Sequence, residues 1–416
     1  MICDDREAIH TQTKVCLMEY KQPKSIIILT QWFPNWPDDR RFTYIYDSAV
    51  ALGHRGVAVH VLVCRPYAPP LLGALAPDWA RGHIEIAKFD GLASVTLIHY
   101  PALPGGLLKG CTSFIKVQRI VSALKLLARR CKAELIHAHT EGLALAASTA
   151  GQALGLPSVV TIHGLNTELN HVHAGDQPTR IGRALCDIDR VILVGDPLRP
   201  FFGTLVGRDD HFRVVYNGVR FPSGLTTGAI LRDLRNVRFI TVSNLEEGKG
   251  IDIALRALGT LRDQGHTGWN YTIVGDGAER APLSELCVAL GLTEFVTFVG
   301  AQSHDAVFKF LGEADIFLLP SYREAFGIAY LEAMVAGLLA VGVRGQGPEA
   351  FIVHGKTGFL VEPNSPTSLV DCIRDILAQP EIAQRIAASG AEIVRSEFTW
   401  DAHAQHLIEV YGELVG

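Results

Sequence analysis

The chain has 416 residues, more than one hydrophobic core usually supports, so the sequence predicts two domains of roughly 200 residues each. Hydrophobic residues make up 48% of it, with 40 glycines and 20 prolines, which is typical of a globular enzyme. The net charge of −5 excludes a general attraction to nucleic acid. The eight cysteines are scattered without a C-x-x-C pair, so we predict reduced thiols in a cytoplasmic protein rather than a disulfide framework or a zinc site.

The start of the chain differs in character from the rest. The stretch MICDDREAIH is acidic and polar, unlike a secretory signal, so we predict a loose N-terminal extension over 1–22. Beyond it, β-branched runs typical of strands alternate with longer helical patterns. The predicted strands are SIIILT (25–30), VAVHVLV (57–63), ELIHAH (134–139), PSVVTIH (157–163), RVILVG (190–195), FRVVY (212–216), RFITVS (238–243), NYTIVG (270–275), FVTFVG (295–300), DIFLLP (315–320) and LLAVGV (338–343).

The order of these runs predicts an α/β fold with two similar halves. Near-continuous apolar strands separated by helices indicate parallel sheets that are covered on both faces. A polar, turn-rich linker over 217–236 separates a first domain at 23–216 from a second domain at 237–395. In such doubly wound domains ligands bind at the carboxyl ends of the strands, which places the predicted site in the cleft between the two halves.

A predicted helix over 109–132 carries charge of one sign. It contains seven basic residues and no acidic one. Its apolar residues follow helical spacing and form one stripe, made of Val117, Ile120, Val121, Leu124, Leu127 and Ala128. The pattern has two interpretations. The helix either packs on the sheet with a basic outer face, or it also attaches to an anionic membrane surface without crossing it.

Several strand ends carry residues suited to a sugar or to an anionic ligand. His163 ends a predicted strand of the first domain, where a lone histidine is usually structural. Lys249 lies before a helix in VSNLEEGKGID (242–252), where it could neutralise a diphosphate or be a solvated surface charge. Gly275 and Gly300 end two further strands, and the turn at Gly275 could approach a ligand or be an ordinary turn.

The segment PSYREAFGIAYLEAMVAGLLAVG (320–342) keeps two glutamates in apolar surroundings. We predict a strand, a loop and a helix that begins near Gly327. The backbone N–H groups of Phe326, Gly327 and Ile328 would then face the cleft and favour an anion such as phosphate. Glu332 lies on an apolar helix, where a carboxylate is rarely buried without a partner, and sugar hydroxyls would be suitable partners. The alternative is one loop glutamate and one solvent-facing glutamate.

The same segment resembles part of a known family. The run from Glu324 to Glu332, with seven residues between the glutamates, resembles the E-x7-E motif of retaining GT-B glycosyltransferases of family 4. The chain continues that family's pattern through EAMVAGLLAVGVRGQGPEAFIVHGKTGFLVEP, and HAHTEGLALAAS (137–148) resembles the family's first domain. The resemblance implies a GT-B fold, in which two Rossmann-like domains face a central cleft. It also implies a closing helix over 396–416 that crosses back to the first domain.

The resemblance implies roles for individual residues. Glu324 would contact the transferred sugar and Glu332 the ribose hydroxyls of a sugar nucleotide, while Lys249 would stabilise the departing diphosphate. His163 falls where relatives place a histidine beside the donor sugar. The segment that ends at Gly300 resembles the place where family members hold the base through backbone groups.

One departure from the family lies in the lysine loop. Asn244 occupies the position at which relatives most often have an arginine. Asparagine can donate hydrogen bonds but supplies no charge, so Lys249 would carry more of the role. The predicted catalytic set is Glu324, His163 and Lys249. The predicted nucleotide-binding set is Asn244, Gly275, Gly300, Phe326, Gly327, Ile328 and Glu332.

The function implied by the resemblance is retaining transfer of a sugar from a nucleoside-diphosphate sugar to a hydroxyl of a glycan or lipid-linked acceptor. The relatives suggest bacterial polysaccharide biosynthesis, such as exopolysaccharide. From the residues we expect a protein of the cytoplasm, or of the inner face of the membrane through 109–132. We also expect no metal or other cofactor, because no D-x-D lies near the carboxyl end of a predicted strand. The open alternatives are a non-catalytic sugar-nucleotide-binding subunit of a membrane assembly and a GT-B epimerase or phosphorylase. An NAD-dependent oxidoreductase is disfavoured because no G-x-G-x-x-G follows a strand. The base, the sugar, the acceptor and the oligomeric state stay open.

Overall fold

The computed structural model describes residues 21–35, 43–67, 89–101, 109–164, 180–221 and 236–416. Most of the predicted N-terminal extension, 1–20, lies outside these residues. So does 222–235, the larger part of the predicted linker.

The first half of the chain forms one parallel sheet of seven strands, in the order β3-β2-β1-β4-β5-β6-β7. Its strands are β1 (Ser25–Thr30), β2 (Ala58–Tyr67), β3 (Ser94–Pro101), β4 (Leu135–His139), β5 (Ser158–Ile162), β6 (Arg190–Leu193) and β7 (Phe212–Val214). All six residues of β1 are buried, as expected of a central strand that is covered on both faces. The strand order is that of a doubly wound domain.

Helices cover both faces of the first sheet. They are α1 (Thr43–His54), α2 (Lys109–Cys131), α3 (Ala144–Leu154), α4 (Arg180–Cys186) and α5 (Arg199–Val206). The predicted apolar stripe of α2 is confirmed, since Ile120, Val121 and Leu124 are buried in the core beneath the helix. Within the described parts of the chain no helix is both long and apolar enough to span a membrane.

The second half repeats this architecture with six parallel strands in the order β10-β9-β8-β11-β12-β13. The strands are β8 (Val237–Val242), β9 (Trp269–Val274), β10 (Val296–Gly300), β11 (Ile316–Leu318), β12 (Leu339–Val343) and β13 (Phe359–Val361). The helices are α6 (Ile251–Asp263), α7 (Arg280–Ala289), α8 (His304–Glu313), α9 (Ile328–Val335), α10 (Pro366–Ala378), α11 (Pro380–Glu397) and α12 (Trp400–Gly412). Two parallel, doubly wound sheets confirm the predicted fold class.

The last helix packs against the first half of the chain. His403 on α12 shares a 2.8 Å hydrogen bond with the Ser48 hydroxyl on α1, and the Tyr411 hydroxyl lies 2.6 Å from Nδ1 of His137 on β4. Arg55 makes a salt bridge of 2.7 Å with Asp401 at the surface. Because α12 follows the helices of the second half, the chain passes between the halves a second time here.

An aromatic cluster joins the two halves beside the E-x7-E segment. The ring of Tyr216, which leaves the first half, stacks on Phe326 at a centroid distance of 5.6 Å and an interplanar angle of 13°. Phe351 and Phe398 pack against Phe326 at 5.5 and 6.2 Å. Phe326 is only 2% exposed, so this ring anchors the loop that precedes α9 by burial of apolar surface.

Candidate active site

The predicted site residues of the second half lie at the carboxyl ends of neighbouring strands. Gly275 follows β9 and Gly300 ends β10, and the Gly275 amide donates a 2.9 Å hydrogen bond to the Gly300 carbonyl. The loop after β8 carries Lys249, and the loop after β11 carries Glu324. Parallel strands bring their carboxyl ends to one edge of a sheet, so residues far apart in sequence meet there.

Glu324 and Lys249 form the central polar contact. Lys249 Nζ lies 3.0 Å from Glu324 Oε2, and the two side chains are 23% and 11% exposed. Their loops are fastened to each other, because the Ser321 hydroxyl and the Tyr322 amide both donate to the Gly248 carbonyl, at 3.1 and 2.9 Å. A carboxylate and an ammonium are thus held side by side in a largely enclosed position, where their charges act with little screening.

The backbone of Glu324 is held from the loop that follows β12. Its amide donates a 3.0 Å hydrogen bond to the side-chain oxygen of Gln346, and its carbonyl accepts one of 2.9 Å from the Gly347 amide. Gln346 was missed by sequence reasoning, since no local pattern marks it. A cavity of about 330 Å³ opens beside this loop, between the halves of the chain. Its walls are formed by Asp196, Pro197, Tyr216, Gly345, Gln346, Gly347, Glu349 and Ala350.

Gly327 caps α9 in a conformation that only glycine adopts readily. Its φ of 96° lies in the left-handed region, and a Cβ placed there would come within 2.7 Å of the Tyr330 ring and 3.3 Å of Glu324 Cγ. Within the described residues, the backbone amides of Phe326, Gly327 and Ile328 donate to no protein group. Unpaired amides at a helix start carry partial positive charge, so this end of α9 suits a phosphate group.

Glu332 lies on the second turn of α9 and has a protein partner that the sequence did not reveal. His304 Nε2 lies 2.8 Å from Glu332 Oε1, and the two side chains are 24% and 13% exposed. The predicted need for a partner is therefore met in part by His304, which begins α8 directly beyond the end of β10. The only sequence signal is that His304 follows a strand end, as many structural residues do.

His163 lies at the carboxyl end of β5 in the first half, within a group of histidines. Its Nε2 shares a 2.9 Å hydrogen bond with Nδ1 of His139, and its ring contacts Tyr44 at a centroid distance of 4.7 Å. Burial, with a smaller contribution from His403, lowers the pKa of His163 to about 3, so the imidazole is neutral at pH 7. Its Nδ1 is shielded from solvent and has no protein partner among the described residues. Among the described residues, His163 contacts neither Glu324 nor Lys249.

Asn244 and the strand-end glycines complete the predicted set. The Asn244 side chain is exposed at the end of β8, in the loop that also carries Lys249. Gly275 has a φ of 139°, and a Cβ there would lie 1.8 Å from the Ser243 carbonyl oxygen, so packing alone requires this glycine. Across the described ranges, no group of three or more His, Cys, Asp or Glu residues could hold a metal ion.

Comparison with known families gives two matches that together span most of the chain. The model described as "Glycosyl transferases group 1" matches residues 229–392, which contain the E-x7-E segment. The model described as "Glycosyltransferase Family 4" matches residues 42–221, which contain His163. The two matches thus correspond to the two sheets of the structure.

Individual relatives agree with this assignment. The chain is 27% identical to a glycogen synthase of Mycobacterium tuberculosis over 298 residues, covering 68% of this chain and 69% of that protein. It is 28% identical to a D-inositol 3-phosphate glycosyltransferase of Salinispora tropica over 404 residues, covering 89% and 80%.

Two solved structures share the fold. Anabaena HepE in complex with UDP and glucose has a TM-score of 0.66 at 20% identity, covering 94% of this chain and 100% of that chain. The sucrose-phosphate synthase of Thermosynechococcus elongatus has a TM-score of 0.69 at 21% identity, with 94% and 99% covered. The chain therefore belongs to the group 1, family 4 glycosyltransferases of GT-B fold and is a transferase of glycan biosynthesis.

Proposed function

We propose that the protein is a retaining glycosyltransferase that moves a sugar from a nucleoside-diphosphate sugar to a hydroxyl of a glycan or lipid-linked acceptor. The observation that carries this proposal is the contact of Lys249 with Glu324 beside the start of α9, whose first amides have no partner in the described parts of the chain. Glu332 lies one turn beyond. Positive and negative groups alternate here over a short distance. A nucleoside-diphosphate sugar complements this arrangement. Its anionic phosphates suit the lysine and the amides, and the hydroxyls on either side of the phosphates can donate hydrogen bonds to the two carboxylates.

Each group has a part in the proposed reaction. The diphosphate lies against Lys249 and the amides of Phe326, Gly327 and Ile328, which stabilise the charge that develops as the bond from sugar C1 to the phosphate oxygen breaks. Glu324 accepts hydrogen bonds from the sugar hydroxyls. Lys249 also offsets the repulsion between this carboxylate and the diphosphate, which the neutral Asn244 does not.

Retention follows in this proposal if the acceptor attacks C1 from the face that the diphosphate leaves. The new bond joins C1 to the acceptor oxygen, and the hydroxyl proton passes to the departing diphosphate oxygen. Glu324 and His163 position the reactants and form no bond to C1. A neutral His163 suits this part because it can hydrogen-bond a sugar hydroxyl without adding charge to the cleft.

The relatives support the classes of donor and product. HepE was solved with UDP and glucose, and the curated relatives include a glycogen synthase and an inositol phosphate glycosyltransferase. We extend these to a nucleotide-sugar donor and to bacterial polysaccharide biosynthesis, such as exopolysaccharide, in the cytoplasm. We further propose that the reaction needs no metal, since Lys249 and the helix start supply positive charge at the diphosphate.

Nucleotide binding is the first test of this site. We expect UDP, GDP or ADP to raise the melting temperature of the wild type in the presence of EDTA, because a ligand at 100 times its Kd adds about 2.7 kcal/mol to the free energy of unfolding. Glu332→Ala should lose most of this stabilisation. The matched control is Glu392→Ala, an exposed glutamate on α11, which should keep it.

Failure of all three nucleotides to stabilise the wild type would contradict the nucleotide site. Stabilisation that appears only when EDTA is replaced by Mg²⁺ would contradict the metal-independent part of the proposal alone.

We also propose that α2 attaches the protein to an anionic membrane surface. Phe114, Ile115 and Leu126 are exposed large apolar side chains on this helix, with Leu126 73% exposed. Arg119, Arg129 and Arg130 are exposed among them. An outer face that combines apolar and basic side chains is typical of attachment to anionic lipid. The basic face is local to this helix, because the chain as a whole has a net charge of −5. Such attachment would bring the cleft close to a lipid-linked acceptor.

The membrane contact predicts vesicle binding that depends on Leu126. We expect the protein to co-sediment with vesicles that contain phosphatidylglycerol at low salt, and not with pure phosphatidylcholine. Leu126→Glu should weaken binding at least about tenfold, because it replaces an exposed leucine that would enter the lipid with a charge that the anionic surface repels. Val288→Glu is the matched control, since Val288 is 65% exposed on α7 of the other half. Equal binding to both lipids, or equal losses in the two variants, would contradict the attachment.

A further inference from the structure

We propose that His304 is a positioning residue that orients the Glu332 carboxylate toward the ribose of the donor, so that the site discriminates ribonucleotides from 2′-deoxyribonucleotides. This role rests on the proposed function, in which the donor is a nucleoside-diphosphate sugar, and on the family resemblance, which implies that its ribose hydroxyls lie at the Glu332 carboxylate. It goes further in naming the protein group that makes the carboxylate selective.

The direction of the hydrogen bond follows from chemistry. An ionised carboxylate can only accept hydrogen bonds. The proton of this contact is therefore on His304 Nε2, which donates a 2.8 Å hydrogen bond to Glu332 Oε1. This occupies Oε1 in part and leaves Oε2 for a ligand. Within the described part of the chain, His304 is the one side chain that hydrogen-bonds Glu332.

The position of His304 is itself fixed. It is the first residue of α8, whose cap Ser303 accepts a 3.3 Å hydrogen bond from the Ala306 amide through its hydroxyl. The imidazole meets the ring of Phe308, one turn further along α8, edge-on at a centroid distance of 5.1 Å. Both ends of the contact are therefore held by regular structure, since Glu332 lies within α9.

A held carboxylate discriminates better than a mobile one. A free glutamate side chain has three rotatable bonds, and ordering it on binding costs free energy that a ligand must supply. The bond to His304 reduces this cost before the ligand arrives. It also fixes where Oε2 points, so a nucleotide that lacks the 2′-hydroxyl leaves an enclosed acceptor without a partner.

The test compares ribonucleotides with their deoxy counterparts. Calorimetric Kd values would be measured for UDP, GDP and ADP and for dUDP, dGDP and dADP, on the wild type, His304→Ala, His304→Gln and His266→Ala. We expect the wild type to prefer the ribo form of its nucleotide about tenfold. His304→Ala should weaken that form about tenfold, leave the deoxy form nearly unchanged and so abolish the preference.

Two further variants separate positioning from folding. Glutamine at 304 keeps an N–H donor of similar reach, so His304→Gln should recover part of the preference. His266→Ala, which changes an exposed histidine of the same half, should retain all of it. In turnover assays His304→Ala should raise KM for the donor and leave kcat within about twofold, since the carboxylate near the reacting sugar is Glu324.

The outcomes distinguish this inference from the function on which it rests. If His304→Ala leaves the ratio of the deoxy and ribo Kd values unchanged, whether or not both forms bind more weakly, the positioning role is overturned. Nucleotide binding by the wild type would still stand in that case. A wild type that binds none of the three ribonucleotides would overturn the proposed donor site and this inference with it.

Discussion

Lys249→Ala is expected to lower donor turnover by about 100- to 1000-fold, the loss typical of removing one group that stabilises charge in a transition state. The structure holds the Lys249 ammonium beside Glu324, at 3.0 Å, and Asn244 in the same loop is neutral and adds no charge. Without the lysine, the charge of Glu324 would be unbalanced next to the departing diphosphate. Both effects raise the barrier to bond breaking.

The measurement is release of nucleoside diphosphate from the donor at saturating concentration. Lys249→Arg should retain more activity than Lys249→Ala, because it keeps the charge but not the geometry. Lys356→Ala is the matched control, since Lys356 is exposed in a turn of the same half. Activity of Lys249→Ala within a few-fold of the wild type would contradict the assigned role of the lysine.

Acidification below pH 6.5 is expected to destabilise the fold well before most carboxylates titrate. Burial lowers the pKa of His137 and His163 to about 3 and that of His403 to about 4, and it lowers the pKa of His139 as well. These residues link β4 and β5 with the closing helix α12. His403 contacts Ser48 through Nε2 and the Tyr216 carbonyl through Nδ1, at 2.8 and 2.7 Å.

The sign of the effect follows from proton uptake. In the unfolded chain each histidine has a pKa of about 6.5, so below that pH the unfolded state binds protons that the folded state does not. The contribution of the neutral histidines to the free energy of unfolding is therefore fully present above about pH 6.5 and is lost as the pH drops toward 4. Each fully buried histidine contributes at most about 1.4 kcal/mol per pH unit within that window.

Urea denaturation at pH 7.5, 6.5 and 5.5 measures this dependence. His403→Gln should lower the stability at pH 7.5 but reduce its slope with pH, because one of the titrating groups is removed. His266→Gln, which changes an exposed histidine, should leave both the stability and the slope unchanged. A free energy of unfolding that stays constant from pH 7.5 to 5.5 would contradict neutral burial of the cluster.

Most of the fold could be predicted from the sequence because buried parallel strands are contiguous apolar runs. All eleven predicted strands exist, and their ends differ from the prediction by a few residues. The two strands that were missed lie at sheet edges. In β3 (Ser94–Pro101) seven of eight residues are only partly buried, so no continuous apolar run marks it, and β13 (Phe359–Val361) has only three residues.

The site was predictable to a lesser degree. The spacing of Glu324 and Glu332, together with Gly327, located the loop and the helix start, since these depend on neighbours in the chain. The contacts of these residues come from distant segments. His304 lies 28 positions from Glu332 and Gln346 lies 22 positions from Glu324, and only the order of the strands brings them together.

His163 illustrates the same point in the first half. Its position at a strand end was predicted, but its pairing with His139 and its contact with Tyr44 depend on the packing of neighbouring elements. A role beside the donor sugar stays a prediction from the resemblance. Burial lowers the pKa of this imidazole to about 3, which fits a neutral, hydrogen-bonding part rather than a charged one.

The most direct test of the central claim is donor cleavage by the purified protein, followed by proton NMR. UDP-, GDP- and ADP-linked sugars would be incubated with the wild type in EDTA, with water as the slow acceptor. We expect release of the diphosphate from one class of donor, and a first-formed sugar that keeps the donor's anomeric configuration. Nucleotide binding without cleavage of any donor would contradict the account, and a first-formed sugar of inverted configuration would contradict its mechanism.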